Sequence, residues 1–387
     1  MRLPLIATLF CCALVVPAIA ADDPLPLGLI TVLTGPQATL GQQVRDGFAL
    51  GLAERGGKLG GRVVELTTID DEGKPDIAVN KTRLMLDASH PPIVVGPVFS
   101  NILAAVVKPV TESGAVLISP NPGPSTLAGA NCNANFYATS YQNDQVHAVM
   151  GKVAQDRGYK RVFLLAPNYQ AGRDAMAGFK RFYKGEVVDE IYVPLTQMDF
   201  QADLARIAAA KPDAVFAFMP GGLGIALVKQ YRGAGLTGIP FLSTFTVDES
   251  VLPALTDAAV GLNSASNWAP NIDNAENKKF VAAYEAKYGS VPGAYAAQAY
   301  DAVALIDSAL TATGGDTADK AKLRVALEKA DFKSVRGPFR FGINHFPVQD
   351  FYLTHVVKRP DGKYQTETEN RIFTADVDPY AAQCKMN

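Results

Sequence analysis

The chain has 387 residues, 48% of them hydrophobic and 19% charged, with a formal net charge of −2. That length fills two domains more readily than one core. The balanced charge, with no Lys/Arg cluster longer than a pair, excludes a surface built for a phosphate backbone, so nucleic acid is not an expected partner.

The N-terminus, "MRLPLIATLFCCALVVPAIA", carries Arg2, an apolar run to Val16, then Pro17 and the small residues Ala18 and Ala20 ahead of Asp22 and Asp23. This is the layout of a secretory signal over 1–20, with cleavage near Ala20 or Ala21. A membrane anchor needs ~20 unbroken apolar residues, and Pro17 interrupts this run. A lipoprotein signal places a small residue before its cysteine, whereas Cys11 follows Phe10 and Cys12 follows Cys11. A soluble exported chain with no stable membrane insertion is expected. Loss of the signal leaves Cys132 and Cys384, which in an exported chain read as one disulfide tying the C-terminus to the middle of the sequence. The alternative is a pair of free buried thiols.

From residue 27 the pattern repeats: "LGLITVL" as strand, a helix over 41–54, "RVVELTTID" as strand, a helix over 75–88, "PPIVVG" as strand, a helix over 100–112 and "AVLISP" as strand. Short apolar runs alternating with amphipathic stretches are βα units, which predict a parallel sheet covered on both faces by helices. After the Pro/Gly/Asn-rich loop "NPGPSTLAGANCNAN" the rhythm restarts at Asn143. It continues through "RVFLLAP", "EVVDEIYVP", "AVFAFM" and "IPFLST", with helices over 143–158, from 172, over 200–210 and over 222–235. The second sheet is expected to be complete by about Thr244. Three helices over 275–288, 294–313 and 318–330 and an antiparallel pair, "FRFG" with "DFYLTHVVKR", are too short for a third domain. They are expected to return and complete both lobes.

In open α/β sheets ligands sit beyond the carboxyl ends of strands, where helix N-termini present unpaired N–H groups. The strand-end segment "GPVFSN" places Ser100 there. A hydrolase using Ser100 would need a Gly-x-Ser-x-Gly elbow with a partner His and acid. No glycine stands two residues to either side, and His90, His147, His345 and His355 are each isolated and none has metal-ligand spacing. Ser100 reads instead as the N-cap of its helix, able also to hold a ligand. "SPNPGPS" ends another strand with a proline-fixed backbone that faces the same crevice. "PGGLGIA" around Gly221 lacks the context of a dinucleotide fingerprint and no phosphate loop is present, so no cofactor is expected.

These strand ends, with "ITVLTGPQATLG", "ELTTIDDEGKPDIAVNKTRLML" and "RGPFRFG", resemble the type I periplasmic solute-binding proteins of the Leu/Ile/Val-binding class, which serve ABC importers. The resemblance covers nearly the whole mature chain. It implies a non-catalytic, monomeric α/β protein in the periplasm, without metal, that delivers a ligand to ABC transporter permease subunits. Its fold would be two Rossmann-like doubly wound lobes joined by three crossovers and closing like a Venus-flytrap. The lobes would comprise 22–142 plus 268–345 and 143–267 plus 346–387.

The resemblance also implies a ligand set. A carboxylate would be held by Ser100, flanked by Phe99 and Asn101, and by the turn Asn121, Pro122 and Gly123, where Gly123 replaces a threonine. The acid that grips an α-ammonium in this class aligns with Phe245, followed by Thr246. Tyrosines of the class align with Leu40 and Gly221. Tyr169, Ala171 and Trp268 complete the set, Trp268 with lobe packing as its other reading. Loss of the acid and gain of a ring make an amino acid a poor ligand, since an unpaired buried ammonium is costly. An aromatic acid such as a benzoate derivative or hydroxycinnamate (p-coumarate) is expected. A shift of register would let Asp248 or Glu249 meet an ammonium, which keeps branched-chain amino acids as the alternative.

Overall fold

Strand β1 (Leu25–Thr31) is apolar on both faces and almost wholly buried, as a strand inside a parallel sheet must be. The computed structural model, which describes residues 23–386, continues through α1 (Ala38–Glu54), β2 (Lys58–Leu59), β3 (Arg62–Asp70), α2 (Pro75–Ser89), β4 (Ile93–Val95), α3 (Ser100–Glu112), β5 (Val116–Ser119), a single turn α4 (Ser125–Ala128) and β6 (Phe136–Ala138). Six strands form a sheet in the order β2-β3-β1-β4-β5-β6, all parallel except the β2–β3 hairpin. The repeating units are where the sequence pattern puts them. Strands β2 and β6 are additions, two and three residues long, too short to leave a periodic signal.

The second half contains α5 (Asn143–Asp156), β7 (Arg161–Pro167), α6 (Gln170–Phe182), β8 (Glu186–Val193), α7 (Gln201–Ala210), β9 (Ala214–Ala217), α8 (Gly222–Gly233), β10 (Phe241–Ser243), a short α9 (Leu252–Leu255) and β11 (Asn263–Ser266). Then come α10 (Ala275–Tyr288), α11 (Ala294–Thr313), α12 (Lys320–Lys329), β12 (Arg340–Phe341), β13 (Pro347–Lys358) and β14 (Tyr364–Asp376). The second sheet runs β12-β13-β11-β10-β9-β7-β8, with β14 on β13. It is therefore not complete at Thr244. Strand β11, "NSAS", has no apolar run, and β14, "YQTETENRIFTAD", is a half-exposed polar strand. Both are strands because a neighbour offers a ladder. The expected pairing of "FRFG" with β13 forms over only two residues, and the long antiparallel partner of β13 is β14.

Helix α11 lies back on the first half against α1, where Arg55 pairs with Asp307 at 2.9 Å. The chain thus passes between the two sheets three times: after β6, after β11 and before β12. Cys132 and Cys384 are disulfide-bonded, tying the tail beyond β14 to the loop before β6. Closing a loop of 252 residues restricts the unfolded chain by about 5 kcal/mol in the entropic account.

One buried cation gathers the three passages. Arg336 donates to the carbonyls of Thr139 (2.6 Å) and Ser140 (2.9 Å) on the first passage and to Gln349 Oε1 (2.6 Å) just after the third. Asn267 on the second passage donates to Ser140 O (3.1 Å) and Gln349 Oε1 (3.2 Å). The charge is matched by Asp301 of α11, 3.1 Å away, with both side chains nearly inaccessible. Asp301 also accepts from Ser334 Oγ and from the N–H of Val335. Removing one member of such a pair strands the other charge. Arg336→Ala is expected to lower unfolding free energy by about 3–5 kcal/mol, measured by urea denaturation, and Asp301→Asn in the same chain should recover part of the loss.

Candidate ligand site

The site begins at the turn after β4. Gly96 has φ 121°, and a Cβ there would fall 2.1 Å from the carbonyl oxygen of Ile30 on β1. Only glycine lets the chain turn this tightly against the sheet. Phe99, with extended φ −109° and ψ 142°, occupies the capping position of α3, so Ser100 is the first helical residue rather than the N-cap the sequence suggests. The leading N–H groups of a helix lack intrahelical acceptors and carry partial positive charge. That end of α3 is an anion-binding feature, with the Ser100 hydroxyl beside it.

Ser100 Oγ accepts a hydrogen bond of 3.2 Å from Asn143 Nδ2, the first residue of α5 in the other half. Asn143 also donates to Asp174 Oδ2 (2.9 Å), and its Oδ1 accepts from Gly123 N (2.9 Å). Asp174 Oδ1 accepts from Ser125 Oγ at 2.7 Å. The two halves are thus latched together over a narrow cleft.

Leu40, Val98, Phe99, Ser100, Asn121 and Pro122 line this cavity from the first half. Asn143, His147, Tyr169, Ala171, Phe218 and Pro220 line it from the second, and Tyr141 and Tyr295 complete the wall. Phe99 meets Tyr169 edge-on at 6.2 Å, and Tyr169 stacks with Phe218 at 6.3 Å. Asn121 is fully engaged within the protein, donating to Val98 O (2.6 Å) and accepting from Tyr141 (3.0 Å). No Asp, Glu, Lys or Arg is among the lining residues. Burial pushes His147 down to about 3, so its imidazole is neutral, and pushes the hydroxyls of Tyr169 and Tyr295 well above their ordinary value. The chamber is uncharged and aromatic, with hydrogen-bonding groups set into its walls.

Of the residues singled out from sequence, Leu40, Phe99, Ser100, Asn121, Pro122, Tyr169 and Ala171 meet at this cavity. The others lie outside its lining. Asn101 buries an unpartnered Oδ1. At Gly123 a Cβ would meet Tyr141 O at 1.9 Å, so no threonine fits there, and its N–H is already bonded to Asn143. Gly221 faces Gln37 and Leu40. Phe245, at φ 52°, packs behind the wall against Tyr141 (5.2 Å) and Tyr295 (5.7 Å). Thr246 Oγ1 bridges Met219 N and Ala217 O, each at 2.9 Å. Trp268 packs edge-on to Phe280 and donates to Asn277 at 2.7 Å.

Val98, Tyr141, Asn143, His147, Phe218, Pro220 and Tyr295 line the cavity outside the set expected from sequence. Tyr141 and Tyr295 lie at an interlobe passage and at the start of a helix, where no strand-end signal marks them. His147 was set aside for lacking a partner, and lies one turn beyond Asn143.

Two such lobes latched over a cavity at strand and helix ends define a solute-binding architecture. The chain belongs to the periplasmic binding protein family, whose model matches residues 24–363, and family membership implies an exported, periplasmic protein that binds a small solute for an ABC transporter. Among curated relatives it is 29% identical to Leu/Ile/Val-binding protein homolog 6 of Brucella melitensis, over 93% of this chain and 94% of that one. Its fold matches a solute-binding protein of an ABC transporter from R. palustris in complex with benzoate, with TM-score 0.87 and 34% identity, over 94% of this chain and 100% of that one. A Rhodopseudomonas palustris protein in complex with 3,4-dihydroxybenzoic acid matches with TM-score 0.86 and 31% identity, over 92% and 99%.

Asp248 and Glu249, the candidates for an ammonium partner, stand outside the lining; the Asp248 bonds engage Oδ1, and its buried Oδ2 has no partner among the described residues. Asp248 accepts from the N–H and hydroxyl of Ser250, and Glu249 from Thr366 N and Oγ1, each at 2.7 Å, on β14. Burial pushes Glu249 up to about 7 from an ordinary 4.5. The folded state therefore binds the proton more tightly than the unfolded chain, and stability falls as pH rises from about 4.5 through about 7. Glu249→Gln is expected to flatten that decline by on the order of 2–3 kcal/mol, read from denaturation midpoints at pH 5 and pH 8.

Proposed function

We propose that this protein captures an aromatic carboxylate of the benzoate class and presents it to the permease subunits of an ABC importer. The observation that carries the reading is the lining itself: aromatic walls, an anion-binding helix end with Ser100 beside it, and no carboxylate to hold an ammonium. The carboxylate docks at the start of α3, where it accepts from N–H groups and the Ser100 hydroxyl. The ring lies among Phe99, Tyr169 and Phe218, each well-placed pair adding ~1 kcal/mol beyond buried area. An amino acid would bring an ammonium into a chamber whose lining holds no carboxylate. The benzoates bound by the R. palustris proteins support this choice, whereas the names of the curated relatives favour branched-chain amino acids.

The two lobes, 22–142 with 268–345 and 143–267 with 346–387, act as a monomer whose closure is latched by Asn143 and Asp174. Ser100 serves as a donor and not as a nucleophile, its hydroxyl partner being an amide rather than a base. The ligand is released unchanged.

In a thermal-shift panel on the mature protein, benzoate and hydroxybenzoates should stabilise it, by about 2.7 kcal/mol at a hundredfold excess over Kd. Leucine and valine should not. Stabilisation by leucine without any by benzoates would overturn the reading. Ser100→Ala is expected to weaken benzoate binding by about 1–3 kcal/mol, measured by titration calorimetry.

A further inference from the structure

Helix α5 carries one side chain whose chemistry the carboxylate site does not use. His147 lines the cavity, is 2% exposed, and its Nδ1 has no hydrogen-bond partner. Its neighbours are rings, Phe218 edge-on at 4.7 Å and Phe216 at 6.1 Å, among which a phenylalanine would pack as well. The hydroxyls of Tyr169 and Tyr295 belong to the same buried wall. An unpartnered imidazole in an apolar wall is a cost to the fold, and a ligand is what would offset it.

The placement of His147 indicates what part of the ligand it meets. Asn143, which touches Ser100, begins α5, and His147 lies four residues on, about 6 Å along the helix axis. That separation is roughly a benzene ring and one substituent. A neutral imidazole offers one donor and one acceptor, as a phenolic hydroxyl does, whereas a carboxylate only accepts.

We propose that His147 is a specificity-determining residue that hydrogen-bonds a hydroxyl on the ring, opposite the carboxylate, so that the cavity selects hydroxylated aromatic acids over the bare ring. This rests on the aromatic-acid reading above. A site built around a ligand hydroxyl rejects the analogue lacking it, because its own polar groups are then left unpaired. Tyr169 and Tyr295 supply further hydroxyl partners for a ring bearing more than one such group.

Calorimetric titration of the mature protein with 4-hydroxybenzoate and with benzoate tests this. The wild type should bind 4-hydroxybenzoate about tenfold more tightly than benzoate. His147→Phe should abolish that preference by weakening 4-hydroxybenzoate much more than benzoate, with circular dichroism showing that the variant is folded. His147→Gln, which keeps a donor and an acceptor, should restore part of it. Equal loss of both acids in His147→Phe, with binding restored to neither by His147→Gln, would overturn the proposal, as would a wild type that does not distinguish them. If neither acid binds the wild type, the aromatic-acid reading fails and this inference fails with it.

Discussion

The fold depends on a charge that has almost no access to water. Three separate stretches of backbone run between the two sheets. Arg336 bonds two carbonyls of the first, Thr139 and Ser140, and the Gln349 side chain after the third, and Asp301 neutralises it from a helix of the first half. The guanidinium fork suits this place because it can reach several acceptors in fixed directions while remaining charged. One apolar cluster runs through both halves beside the passages, and a second fills the far side of the second sheet. A joint made of a few such passages lets two bodies turn relative to one another.

What closes the joint is of a different kind. The latch across the cavity consists of Asn143, Asp174, Ser100 and Ser125, short polar side chains exchanging single hydrogen bonds. Each such bond contributes little net free energy because water replaces it on opening. The closed form is thus stabilised modestly by protein alone, and a ligand that bonds to both walls adds to it. Ser100 belongs both to the latch and to the first turn of α3, so one residue joins the two walls at the helix end.

The repeating βα units were legible because a strand buried on both faces must be apolar throughout, as β1, β4, β5 and β9 are. Strand β14 was not, because a polar edge strand owes its conformation to the partner it pairs with. In the site, Phe99, Ser100, Asn121 and Tyr169 were legible because strand ends in this architecture face the crevice. Phe245 shows where that inference stops. It does follow a strand end, but its positive φ turns the ring behind Tyr141 and Tyr295.

Composition, periodicity and strand-end motifs determined the class of fold, the export-compatible cysteine pair and the strand ends that line the cavity, since all three follow from local pattern. Which side chains share the chamber was decided only by tertiary structure. Tyr141, His147 and Tyr295 come from an interlobe passage and from the first turns of α5 and α11, far apart in sequence and without a common motif. They converge because Arg336 and the helix packing fix where the passages run. The distinction between a ring that lines a cavity and one that stands behind it turns on backbone angles and neighbours that no single-residue propensity encodes.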